Sequence, residues 1–264
     1  MSGYAFLRQP RWLALGFLVL IVVPSFFLLS RWQLSRLDER RHANAVVQAN
    51  SQSQPVAVDS LLTAGAPTSS VTEAQQWRPV TATGRYDASR QVLVRKRPLE
   101  GANGFWVATP FITSTGSTLV VNRGWIAASG GAGAVQDVPA PPSGQVTIVG
   151  RILPSEQAPS PQPTDLPAGQ VTDLDVALVG GSTDVYPGYV DLVSSEPAQG
   201  DVLRPVPLPD LSEGNHLSYA VQWIFFALVG VTGFVLLVRR EREYADSDGL
   251  EGIETEKATR TDVA

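Results

Sequence analysis

Two uninterrupted apolar runs stand towards either end of the chain, and short alternating patterns fill the stretch between them. The first run, residues 12–30 (WLALGFLVLIVVPSFFLLS), carries no charge. As a helix rising ~1.5 Å per residue it reaches ~28 Å, close to the thickness of bilayer hydrocarbon. Pro24 lies inside it and predicts a kink of the kind membrane helices tolerate. No small-x-small site follows, so the pattern predicts an uncleaved anchor rather than a cleaved signal peptide. The second run, residues 219–238 (YAVQWIFFALVGVTGFVLLV), reaches ~30 Å by the same measure. It is apolar all round, and the rest of the chain holds no core large enough to bury such a helix. Asn215 is the expected N-cap and Arg239-Arg240 the polar stop.

Residues 42–217 are enough for one domain with its own core. Short segments rich in Val, Thr, Ile and aromatics, bounded by Gly, Pro, Asp or Ser, predict strands at 79–86, 91–97, 105–113, 118–126, 145–153 and 186–193. Their spacing favours antiparallel meanders closing into a barrel or sandwich. Residues 171–179 read as a short helix or a strand. Residues 31–48 contain no Pro or Gly and predict a continuation of the first helix beyond the membrane. Five prolines within 154–167 predict an extended loop. The predicted class is therefore membrane α+β: two transmembrane helices flanking a mostly antiparallel β domain. The expected organisation is a tail at 1–11, helices at 12–30 and 219–238, a β-rich domain at 31–217, and an acidic, unstructured tail at 239–264.

Composition narrows the chemistry. The 17% of charged residues falls below the ~25% usual for soluble proteins, in keeping with a membrane chain. There is no cysteine, which excludes disulfides, zinc ribbons, iron–sulfur clusters, thiolate nucleophiles and covalent c-type haem. Two histidines, His42 and His216, exclude a three-histidine metal site. Eighteen Arg stand against two Lys, a skew expected from a GC-rich genome. Charge runs from a basic head through a mildly acidic middle to an acidic tail, without the basic footprint of a nucleic-acid binder. Arginines flanking the two membrane faces balance overall, but three follow the second run closely and only Arg204 precedes it, favouring a cytoplasmic C-terminus.

His216 carries the most information. It sits at the mouth of the second run, and helical spacing places His216, Tyr219, Ala220 and Trp223 on one stripe. A neutral imidazole above such a face could give haem an axial ligand and a flat bed; an interfacial histidine bonded to a headgroup or loop is the plainer alternative. Gln222, about a turn inside the run, is expected to bond the other helix. Trp32 and Arg36 share a helix face, as an interfacial anchor or a partner contact. Arg95 and Arg97 share a face of a basic hairpin, suited to an acidic partner, a propionate or plain solvation. The segment Asn122-Arg123-Gly124-Trp125 suggests a turn or bulge, with Arg123 and Trp125 as further partner-contact candidates. No Walker loop, dinucleotide fingerprint or base–nucleophile pair is visible, so a hydrolase has no support and the chain reads as a non-enzyme.

Five segments taken in order resemble the surfeit-locus family of cytochrome c oxidase assembly factors. They are Arg31-Trp32-Gln33-Leu34-Ser35-Arg36, Val80 through Tyr86 (VTATGRY), Gly104 through Phe111 (GFWVATPF), Val121-Asn122-Arg123-Gly124-Trp125, and His216 through Trp223 (HLSYAVQW). Residues 128–185 and the tail from 241 match little. The resemblance implies a membrane-bound factor that helps build the aa3-type oxidase where haem a meets subunit I, with a permanent accessory subunit as the alternative. It implies a plasma-membrane location, both termini cytoplasmic, and the β domain outside. Its expected partners are subunit I, other oxidase subunits or assembly factors, and membrane lipid. His216 falls on the family's membrane-edge histidine, so the implied cofactor is haem a, held noncovalently and without sulfur, with His216 as metal ligand beside Tyr219 and Trp223.

Overall fold

The computed structural model describes residues 4–65, 70–130, 136–157, 163, 165–181 and 184–261. In chain order its elements are α1 (Pro10–Ser51), β1 (Val56–Ala57), β2 (Pro79–Tyr86), β3 (Val92–Val94), β4 (Gly104–Thr113), β5 (Thr118–Ala127), β6 (Val146–Pro154), β7 (Gln170–Val171), α2 (Val176–Gly180), β8 (Val185–Glu196) and α3 (His216–Thr261). They form two compact units: Met1–His42 with Ser212–Ala264, and Ala43–Leu211.

The second unit is built on one eight-stranded sheet ordered β1-β2-β6-β8-β5-β4-β3-β7. A further pairing of β2 with β4 closes β2, β6, β8, β5 and β4 into a ring. The result is a barrel, one of the two expected forms, five-stranded and closed, with β1, β3 and β7 as short additions. Four of its five seams are antiparallel; the β5–β8 seam is parallel. A parallel seam needs a long connection, and residues 128–184, β6 among them, separate β5 from β8 in the chain.

Period-two alternation sorts side chains to the two faces of this ring. Val80, Ala82, Phe111, Leu119, Val121, Ile148, Ile152 and Val190 pack together inside it. The intervening residues Ala108, Val120, Leu153 and Tyr189 face outward and are covered by Leu174, Val176 and Val179. That cover explains strands with hardly a solvent-facing position, such as β5. Residues 171–179, ambiguous in the sequence, divide between the end of β7 and a single helical turn, α2. Asp175 caps that turn by accepting from the Ala177 and Leu178 amides. The strand expected at 91–97 stops at Val94, because Lys96 takes φ +56° and the extended pairing cannot continue through a left-handed residue.

In the first unit α1 and α3 run antiparallel, and both are long and apolar enough to cross a membrane. Their shared seam has three–four spacing on each helix, the pattern of a heptad interface. On α1 it comprises Trp12, Gly16, Val23, Phe26, Ser30, Gln33 and Leu37. On α3 it comprises His216, Ala220, Trp223, Ala227, Gly230 and Phe234. Trp12 meets Phe234 edge-on at 6.4 Å, and Phe26 stacks on Trp223 at 5.6 Å. Ala220 and Ala227 are buried, and such small side chains let the two backbones approach. At the far end Arg11 pairs with Glu241 at 2.5 Å and Arg242 donates to the Tyr4 hydroxyl at 3.0 Å. The C-terminal segment, expected to be unstructured, continues instead as the end of α3 to Thr261. No proline interrupts it, and its Ala, Glu, Lys and Arg residues are good helix formers.

Candidate functional site

The site is assembled where α3 begins. Gly214, at φ +68°, turns the chain into the helix, and the Asn215 carbonyl accepts from the Tyr219 amide. His216 is the first helical residue, and its half-buried ring faces α1. Its Nδ1 lies 2.9 Å from Gln33 Oε1. A carbonyl oxygen can only accept, so Nδ1 donates and Nε2 is left with its lone pair. An imidazole fixed at one nitrogen by an acceptor, with the other bare, is the usual preparation of a histidine ligand. One helical turn deeper, buried Ser30 donates to the Ala220 carbonyl at 3.0 Å, tying the helices together below the ring. On the other side Arg41 clasps Glu213 through two bonds of 2.8 and 2.9 Å, and Arg40 donates to the Ser212 carbonyl.

The expected stripe is divided by this packing. His216, Ala220 and Trp223 face α1, whereas Tyr219 is 47% exposed and points elsewhere. Trp223 stacks on Phe26 and meets Phe226 edge-on, so one face of its ring is occupied, yet its buried Nε1 has no hydrogen-bond partner among the described residues. Gln222 was expected to bond the other helix. It lies on the outer side of α3, exposed, because the seam positions on either side of it are filled by Ala220 and Trp223. Gln33, by contrast, was quoted in a motif without a role. The signal for it is spacing: Ser30 and Gln33 carry the seam of the apolar run on towards Leu37 with polar side chains.

The remaining candidates separate into exposed and internal groups. Trp32 is 51% exposed, with the Arg36 guanidinium 5.8 Å from its ring centre; Arg36 also pairs with Glu39 at 2.7 Å. These two remain available to lipid or a partner. Arg95 is partly exposed. Arg97 does not share a strand face with it: it lies 4.1 Å over the Trp106 ring and is paired with Glu156. Arg123 and Trp125 have no accessible surface to offer a partner, at 0% and 4% exposure. Two residues of β5, Arg123 and Gly124, oppose the single Val107 of β4, which is the anticipated bulge. Gly124 adopts φ +140°, and a Cβ there would lie 2.7 Å from the Arg204 carbonyl.

The bulge places Arg123 inside one end of the barrel, without a carboxylate among the described residues. Its guanidinium donates to Gln91 Oε1 at 2.7 Å, Gln199 Oε1 at 3.1 Å, and the carbonyls of Pro139 and Ala140 at 3.0 and 3.3 Å. Burial lowers its pKa from the ordinary arginine value. The Tyr86 hydroxyl, beneath it, is raised for the same reason. On the outer face, Asn122, Asp191 and Arg151 lie in register across β5, β8 and β6. Asn122 donates to Asp191 at 2.7 Å. Burial pushes the Asp191 carboxyl up to about 6 despite that bond and the nearby Arg151. The sequence reading identified neither Asp191 nor Arg151, because a strand's own pattern does not reveal which residue of the next strand lies opposite.

A family model described as the SURF1 family matches residues 20–228, a stretch holding the whole barrel, more than half of the first apolar run and half of the second. The chain belongs to the SURF1 family. A SURF1-like protein of Mycobacterium bovis is 33% identical over 257 residues, covering 94% of this chain and 92% of the relative. A SURF1-like protein of Rickettsia felis is 25% identical over 228 residues, covering 84% and 95%. The yeast cytochrome oxidase assembly protein SHY1 is 27% identical over 115 residues, covering 43% of this chain and 28% of the yeast protein. In this SURF1-family chain Gln33 and His216, the two residues that meet at the start of α3, both lie within the matched stretch.

Proposed function

We propose that this chain is a membrane-bound assembly factor for cytochrome c oxidase, acting on an aa3-type enzyme where haem a meets subunit I. The observation that carries the reading is the family match across residues 20–228, supported by the likeness to a yeast protein named for oxidase assembly. Two helices long and apolar enough to cross a bilayer support action at the membrane, where an embedded subunit would be met. The arginines after the second run support cytoplasmic termini and a barrel outside the plasma membrane. Nothing in this role calls for turnover, and the chain serves as a chaperone rather than an enzyme.

Haem a is cargo in this reading, and the residues at the start of α3 fit it in part. His216 fits an axial ligand, with Gln33 fixing the ring and Nε2 unbonded. Trp223 fits less well as a flat bed, since Phe26 covers it, but its unpartnered Nε1 is a donor for a polar edge of the cargo. Tyr219 lies off this face and serves the interface with lipid.

Recovery of the oxidase on the tagged chain tests the reading. Substoichiometric recovery, enriched in subunit I from incompletely assembled enzyme, is the expected result. Near-stoichiometric recovery with mature, active oxidase would instead make the chain a permanent accessory subunit.

A further inference from the structure

The outer face of α3 holds hydrogen-bonding side chains that the protein itself leaves unused. Ser218, Gln222, Phe225, Val229, Thr232 and Leu236 follow three–four spacing and form one stripe, turned away from the seam with α1. All six are exposed. Neither the Gln222 amide nor the Thr232 hydroxyl makes a side-chain hydrogen bond to a described residue. Around them stand Val221, Leu228 and Val229, all more than half exposed and all apolar, as a lipid-facing surface requires. Hydrocarbon offers an amide or a hydroxyl no partner, so such groups at membrane depth are costly unless another helix supplies one.

We infer that this stripe is the contact face of a parallel homodimer, in which α3 packs on α3 of a second copy. The occupant follows from depth. Two copies of one chain enter the bilayer in the same orientation, so a two-fold axis along the membrane normal sets each residue opposite itself. Gln222 then meets Gln222, and Thr232 meets Thr232, at matching depths. An amide carries both donors and an acceptor, so two glutamines satisfy one another reciprocally, as two like charges could not. Phe225 and Val229 fill the space between the two polar levels. Two small residues, Ala220 and Ala227, serve the opposite side, where they face α1. The inference needs α3 to lie in a bilayer; it does not depend on the oxidase reading.

The absence of cysteine makes the test direct, because any introduced thiol is unique. Single cysteines are placed at Phe225, Val229 and Thr232, on the stripe, and at Val231, which is 42% exposed but points elsewhere. The full chain is oxidised in native membranes and separated without reductant. The expected result is a disulfide-linked band at twice 28.3 kDa for the stripe variants and little for Val231→Cys. In the Val229→Cys background, Gln222→Leu is expected to weaken dimerisation roughly three- to thirty-fold, the range of membrane hydrogen bonds, while Gln222→Asn retains most of it. Equal cross-linking at Val231 and Val229, yields indifferent to Gln222→Leu, or a cross-linked band of another mass would each overturn the inference. The last would assign the stripe to a different protein's helix, and a monomer at every position would assign Gln222 to the headgroups. Oxidase content of the same membranes, measured separately, shows whether the assembly role stands or falls independently.

Discussion

A single hydrogen bond decides what His216 is prepared to do. With Gln33 accepting from Nδ1, the ring is fixed in one tautomer and Nε2 is the only nitrogen a metal could take. His216→Ala is therefore expected to abolish or alter the absorption spectrum of haem co-purified with the chain. Gln33→Leu, which keeps the ligand but frees the ring, is expected to reduce occupancy without removing it. Identical spectra and occupancy in His216→Ala would exclude the histidine as a ligand. Asp191 supports a prediction of a different kind. Its carboxyl titrates near 6 in the folded protein against an ordinary value of 3.8. The raised value means that stability from the neutral form is complete below about 3.8 and lost as pH rises through about 6. Asp191→Asn keeps the shape and removes the titration. The variant's stability relative to its parent is expected to grow by about 2 kcal/mol between pH 4 and pH 7, read from urea melts. A pH-independent difference would mean that Arg151 and Asn122 fully compensate the charge.

At the scale of elements, the sequence was most legible where periodicity was long. Both helices, the continuation of α1 to Ser51 and the cores of five barrel strands stood where the patterns placed them. The departures have local causes: a left-handed Lys96 that cut a strand short, and a helix without a proline that ran on through an acidic tail. Contacts between elements were less legible. The Arg123 pattern indicated a bulge but not that the bulge would turn its side chain inward, and Gln222 was assigned to a seam that its helical angle forbids. Both depend on which face of an element is covered, and one element's pattern does not carry that. The seam itself yields a test. Ala220 is buried where its carbonyl accepts from Ser30, so Ala220→Leu must push the helices apart one turn from His216. Overpacking of this kind costs about 1–3 kcal/mol. Membrane accumulation and protease resistance are expected to fall in Ala220→Leu and to stay unchanged in Val221→Leu, whose side chain is 62% exposed. Equal behaviour of the two variants would refute the close packing.

On the scale of the whole molecule, one unit presents a prepared histidine at the end of a helix pair, and the other is a small closed barrel with Arg123 buried at one end of its interior and Asp191 buried on its outer face. Arg97, Arg123 and Asp191 all serve the barrel's own architecture. Trp32 and Arg36 are exposed on α1, and Arg85, Lys96, Glu100 and Arg204 are exposed in the barrel unit. Membranes of a strain lacking the gene provide the most direct measurement, through their reduced-minus-oxidised haem spectrum. The aa3 signal is expected to fall while the b and c haem signals persist, and to return when the chain is restored. An aa3 signal and oxidase activity unchanged by the deletion would contradict the assembly role.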